Sequence, residues 1–127
     1  MDIEKIKTAF DDERGEIKDV LERVDIDCVT LITSKKGAVR GNHYHKESEQ
    51  YVFLLSGKMR FLTQMPGKEL EEAITVSGDL VFTPPFERHT MIAIEDSTFI
   101  VFTRGPRGGK DYEKDTYRLS IPLSPGV

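Results

Sequence analysis

The sequence predicts an all-β sandwich or barrel. Short runs rich in Val, Ile, Phe and Tyr recur along the chain. Turn residues separate them at intervals of roughly 8 to 12 residues. Helical periodicity is nearly absent after residue 25.

Taken in order, residues 3–10 fit a short helix or an extended arm, and Gly15 punctuates the chain after it. "EIKDVLERV" then opens a series of strand candidates: CVTLITS (28–34), HYH (43–45), QYVFLLS (50–56), KMRFLTQ (58–64), EEAITV (71–76), DLVFTP (79–84), HTMIAIE (89–95) and TFIVFTR (98–104). The breaks fall at residues 35–37, Gly57, residues 66–67, Gly78, residues 84–85 and Asp96. "YVFLL" and "FIVF" are apolar at consecutive positions, so both faces of their sheet are expected to be covered. A partner subunit supplies that cover in one reading, which makes the protein a homodimer; an N-terminal segment of the same chain supplies it in the other. Met59, Met65 and Met91 read as core filler. The tail, rich in Gly, Pro and charge until "YRLSIPL", reads as a loop followed by one edge strand.

At 127 residues the chain is long enough for one domain, with an arm at 1–14, a barrel at 15–104 and the tail at 105–127. Thirty-eight per cent apolar and 31% charged residues are those of an ordinary soluble protein. The net charge is -4, the pI is about 5.4, and no run of Lys and Arg exceeds a dipeptide, so nucleic acid is not an expected partner. Cys28 is the single cysteine and has nothing to pair with, which points to a reducing compartment. "MDIEKIKTAFDDERGEI" alternates charges and carries no continuous apolar core, so it is neither a signal peptide nor a membrane span. The expected location is the cytoplasm.

His43 and His45 stand one residue apart, and side chains at i and i+2 of a strand share a face, so the two imidazoles can reach one point inside a barrel. Imidazole is the commonest transition-metal ligand and also the side chain that titrates near neutrality. The pair sits in a spaced frame: Gly37, five residues, His43-x-His45, four residues, Gln50, six residues, Gly57. After twenty residues comes "GDLVFTPPFERHT", in which five residues separate Gly78 from Pro84 and His89 follows.

These spacings resemble the two motifs of the cupin superfamily, G-x(5)-H-x-H-x(3,4)-E-x(6)-G and G-x(5)-P-x-G-x(2)-H-x(3)-N, over residues 37–93. The resemblance implies a double-stranded β-helix, the jelly-roll barrel, and a metal site of His43, His45, Gln50 and His89. All three histidines of the chain fall on the three histidine positions of those motifs. Gln50 stands where the family has a carboxylate, with Glu49 beside it expected to face away; an amide holds a divalent ion less tightly. The implied metal is Zn, Fe, Mn or Ni, or none. Phe86 replaces the glycine of the second motif and Ala93 its asparagine.

A narrower resemblance follows from "FDDERGEI", with Asp12-x-Arg14-Gly15, and from "RGNHYHKESEQYVFLLSG". The first looks like the D-x-R-G strand of cupins that process nucleotide-linked deoxysugars, the 3,5-epimerases and 3,4-ketoisomerases. The second is similar to the ketoisomerase stretch R-G-x-H-x-H-K-x-x-x-Q and to the "RGNHWH" of capsule-sugar biosynthesis domains. The tyrosine that those ketoisomerases carry in the preceding strand has no match in "CVTLITS". The resemblance implies proton abstraction next to a sugar ketone.

A ketone acidifies its α C–H, and His43 or His45 could take that proton and return it elsewhere. The enolate oxygen needs a metal, the Gln50 amide, or Arg40 or Arg60. Arg40 and Arg14 could clamp a diphosphate, and Lys46 could reach the pocket mouth, all three being ordinary surface residues otherwise. Tyr44 is expected to face outward, and "RGPRGGK" (104–110) to be a turn or a phosphate-catching loop. Three functions stay open: isomerase or epimerase of a sugar or nucleotide-sugar, metal-dependent dioxygenase, and non-catalytic small-ligand binder.

Overall fold

Gly57 and Gly78 both take φ of 95°, a left-handed conformation that glycine adopts at little cost, and strands stop and restart at each. The structure, a computed structural model, describes residues 1–106 and 113–124. Its strands are β1 (Asp2–Lys5), β2 (Phe10–Asp12), β3 (Gly15–Ile17), β4 (Cys28–Ser34), β5 (Val39–Tyr44), β6 (Glu49–Ser56), β7 (Lys58–Gln64), β8 (Glu71–Val76), β9 (Asp79–Thr83), β10 (Arg88–Ala93) and β11 (Ser97–Arg104). A turn of 3-10 helix (Glu113–Asp115) then leads into β12 (Tyr117–Arg118).

Two five-stranded antiparallel sheets form, in the orders β1-β9-β6-β11-β4 and β12-β5-β10-β7-β8, and β2 and β3 pair as a separate hairpin. From β4 to β11 the chain changes sheet at each connection except the β7–β8 hairpin, so neighbouring strands are mostly distant in sequence. This is the double-stranded β-helix of a jelly roll. Val52, Leu54, Phe61, Val81, Phe99 and Val101 fill the space between the inner faces. No helix among the described residues is long and apolar enough to cross a membrane.

The predicted strands at 28–34, 58–64 and 71–76 form with those bounds, and the others from 50 onward shift by one or two residues. The expected helix at residues 3–10 does not form; the N-terminus is an extended arm. Asp2 to Lys5 pair with β9, and the Ile6 amide donates to the Gly78 carbonyl at 3.0 Å. A helix of two turns would be marginal alone, whereas the edge of β9 offers a ready ladder. The HYH strand proves longer and earlier, because β10 pairs with β5 back to Val39. In "YRLSIPL" only Tyr117 and Arg118 are strand. Met59 and Met91 are core residues, but Met65 is 36% exposed at the end of β7. Residues 107–110 of the "RGPRGGK" loop lie outside the described residues.

Among the described residues, the outer face of the first sheet is walled in at one end and open at the other. Tyr51 and Leu80 line a surface cavity that residues 3–9 and 19–22 of the same chain wall in. At the other end Val29 is 61% and Leu31 66% exposed on the edge strand β4, opposite Phe102 and Ile100.

Candidate active site

Strand alternation turns His43 of β5 and His45, just beyond it, to the inner face, where both are buried. β10 runs antiparallel to β5 with His89 opposite His43 and a register shift directly after it. Gly41 permits this approach, since a Cβ there would stand 2.6 Å from the His89 carbonyl oxygen, and its φ is 97°. The imidazole centroids lie 4.9 Å (His43–His45), 4.7 Å (His43–His89) and 5.2 Å (His45–His89) apart.

Main-chain carbonyls orient two of the rings. The Asp115 carbonyl lies 2.8 Å from His45 Nδ1, and the Glu87 carbonyl 3.2 Å from His89 Nδ1. A carbonyl only accepts, so each Nδ1 carries the hydrogen and Nε2 is the basic nitrogen of the neutral ring. Burial, and then the neighbouring His45, push the His89 imidazole down to about 4, outweighing its bond to Glu87. His89 is therefore neutral at pH 7.

Gln50 lies on the inner face of β6, buried, with its Nε2 donating to Thr103 Oγ1 at 3.3 Å. Glu49 faces the other way, 3.7 Å from Arg104, as strand alternation requires. The histidines and Gln50 line an open cavity of about 680 Å³ floored by Val52, Phe61 and Val101. Two guanidiniums stand at its wall. Arg40 is held by Nε donating to Ser34 Oγ (2.8 Å) and Nη2 donating to the Thr33 carbonyl (2.9 Å). Arg118 of β12 pairs in register with His43, and its Nη2 donates to Glu113 at 3.0 Å. Among the described residues no carboxylate lines the cavity.

Three expected site residues stand elsewhere. Arg60 alternates with the inward Met59 and Phe61, so it emerges on the outer face of β7 and pairs with Glu72 of β8. Arg14, at the tip of the β2–β3 hairpin, is 80% exposed and bound to Asp12 at 2.7 Å. Lys46 lies over the Tyr117 ring, 4.3 Å from its centroid, outside the cavity lining. Tyr44 faces outward as expected, stacked on Tyr117 (5.3 Å) and Phe86 (6.5 Å). Phe86, standing where the second motif has glycine, takes φ 69°, an uncommon conformation for a bulky residue. Its amide donates to the His45 carbonyl at 2.6 Å.

Sequence reasoning passed over Arg118 and Asp115. The Asp115 carboxylate accepts the amides of Lys46 (2.9 Å), Glu47 (3.1 and 3.2 Å) and Ser48 (2.8 Å). Burial works against its charge, yet those donors hold the carboxyl below its ordinary value. Neither residue belongs to a spaced motif, and in a tail rich in charge neither stands out from its neighbours.

One nitrogen from each of the three histidines lies within 4.8 Å of the others. With Zn–N bonds of about 2.0 Å, tetrahedral ligand nitrogens stand roughly 3.3 Å apart, so small ring rotations would make the donor set fit a divalent ion.

A jelly-roll barrel with a His-x-His pair and a third histidine at one interior point defines a cupin. The chain belongs to the polysaccharide biosynthesis C-terminal domain family, whose model matches residues 10–117. Against the curated proteins no match is found. Among solved structures the chain is similar to the sugar 3,4-ketoisomerase QdtA of Thermoanaerobacterium thermosaccharolyticum in complex with TDP (21% identity, TM-score 0.77, 94% of this chain and 88% of that one). It is similar also to a dTDP-4-dehydrorhamnose 3,5-epimerase from Sulfolobus tokodaii (21%, 0.70, 84% and 70%). A third is the capsular polysaccharide assembling protein CapF of Staphylococcus aureus (24%, 0.66), where the match covers 91% of this chain but 33% of that protein. At these identities the likeness is one of fold.

Proposed function

We propose that the protein is an isomerase or epimerase of a nucleotide-linked keto-deoxysugar, moving a proton at the carbon beside the ketone. The observation that carries this reading is the basic Nε2 of His45, fixed by the bond from Nδ1 to the Asp115 carbonyl. It belongs to a cavity with two guanidiniums and no carboxylate in its described lining. The family and the nucleotide-sugar enzymes among its structural neighbours support the same substrate class.

In this reading Arg40 and Arg118 bind the diphosphate, because a guanidinium presents paired N–H donors to phosphate oxygens. His45 Nε2 takes the α proton, and the C–H electron pair becomes the C=C bond of an enolate whose charge rests on the former ketone oxygen. His43, whose ring lies beside that of His45, donates a proton to that oxygen. Return of the proton to the former ketone carbon, with His43 taking up the proton of the hydroxyl on the first carbon, moves the ketone; delivery of a proton from water to the opposite face of the first carbon, with His45 releasing the one it took and His43 taking back the one it gave the oxygen, epimerises it. Gln50 is the amide donor near the developing charge.

The spacing of the ring nitrogens favours a second reading, in which His43, His45, His89 and Gln50 hold a divalent ion such as Zn, Fe, Mn or Ni. When bound, the metal supplies Lewis acidity. The lone pair of His45 Nε2 serves one role at a time, so added metal should inhibit proton transfer if the first reading is right. A cytoplasmic homodimer belongs to the same proposal.

Incubation with TDP-4-keto-6-deoxyglucose in D₂O tests it by NMR. Deuterium should enter at a carbon flanking the ketone, and His45→Asn should slow that exchange about 100-fold or more, the usual worth of a general base. No deuterium at carbon across a panel of nucleotide-linked keto-sugars would end this reading.

A further inference from the structure

Asp115 lies outside every motif of the sequence, 70 residues beyond His45, and is 2% exposed. Its carboxylate gathers the amides of the three residues that follow the His-x-His pair, and its main-chain carbonyl receives the His45 Nδ1–H. We propose that Asp115 is a positioning residue for the site: its carboxylate anchors the tail to residues 46–48, and so holds its own carbonyl where it fixes the ring and tautomer of His45.

The β12 pairing beside it spans only two residues, Tyr117 with Tyr44 and Arg118 with His43. That pairing and the bonds of Asn42 to Leu119 and Leu123 hold the tail beyond residue 115, but they do not tie residue 115 itself, whose carbonyl lies 2.8 Å from the ring nitrogen. Charge-assisted bonds from consecutive backbone amides to one carboxylate are short and directional, and they supply the missing hold. Without them the carbonyl drifts, and the neutral ring can place its hydrogen on Nε2, the atom that must accept a proton. His89 is an internal control, because its Nδ1 is served by Glu87 on the β9–β10 connection rather than by the tail.

The consequence for turnover rests on the proton-transfer reading above; the tautomer does not. Long-range ¹H–¹⁵N spectra of the full chain, labelled uniformly, report both rings directly. Wild-type His45 should be the Nδ1–H form. Asp115→Ala should give mixed His45 tautomers while His89 keeps its spectrum. Exchange of substrate deuterium should fall about 10- to 100-fold in kcat, with KM held within roughly threefold. Asp115→Asn keeps one acceptor oxygen and should fall between wild type and alanine. Should the alanine variant fail to fold, the asparagine variant and the wild-type tautomer decide the matter.

Wild-type His45 in the Nε2–H form overturns the proposal, as does a folded Asp115→Ala protein with an unchanged His45 spectrum, in which case the carboxylate is only a loop cap. If the spectra behave as stated but no keto-sugar exchanges deuterium, positioning stands and the enzymatic reading falls.

Discussion

At the scale of single residues, the three histidines were legible and their supports were not. His43, His45 and His89 announced themselves by spacing, because strand geometry converts an i, i+2 pair into a shared face whatever the rest of the fold does. Gln50 followed from the same frame. Arg60 misled because a strand pattern gives alternation but not which phase is inward. The solvation of His89 yields a prediction. Its imidazole titrates near 4 in the folded protein and near 6.5 in the unfolded chain, so between these values the unfolded chain binds more protons. Stability from this group is therefore full above pH 6.5 and is lost as the pH falls toward 4, by about 3 kcal/mol. Urea unfolding at pH 7 and pH 4.5 should show the loss, and His89→Gln should remove most of it.

At the scale of elements, β5 organises the molecule through Asn42, which the sequence offered only as a spacer between motif residues. Its φ is 55°. Its Oδ1 accepts from Thr90 Oγ1 (2.7 Å) and the Leu123 amide (2.9 Å), its Nδ2 donates to Ser124 (3.1 Å), and its carbonyl accepts the Leu119 amide (2.9 Å). One side chain thus ties β10 and the tail to β5. Asn42→Ala should leave the buried Thr90 hydroxyl and the Leu123 amide without acceptors and put alanine in a left-handed conformation. The expected cost is about 2 to 3 kcal/mol. Hydrogen exchange should quicken at Leu119 and Leu123 while the β7–β8 ladder keeps its protection.

At the scale of the whole molecule, the consecutive apolar residues of "YVFLL" asked what covers the outer face of their sheet. Residues 3–9 and 19–22 of the same chain wall in the side of that face that holds Tyr51 and Leu80. Val29 and Leu31 remain exposed beside Ile100 and Phe102, so a second copy is the expected cover for that end. Light scattering should give twice the 14.4 kDa chain mass. Val29→Glu, which places a charge on that face outside the lining of the histidine cavity, should return the monomer; an unchanged dimer would move the interface elsewhere.

Sequence by itself determined the all-β class, the strand limits near the turns, the cupin frame and the three imidazoles, because each depends on residues close in the chain or on fixed spacing. Only the tertiary structure decided that Arg118 and Asp115 join them, that Arg60, Arg14 and Lys46 do not, and that residues 3–10 extend rather than coil. Those outcomes hang on pairings between distant strands, such as β12 with β5 and β1 with β9. Such pairings form because the ladder hydrogen bonds and the buried face are available only once the barrel has closed.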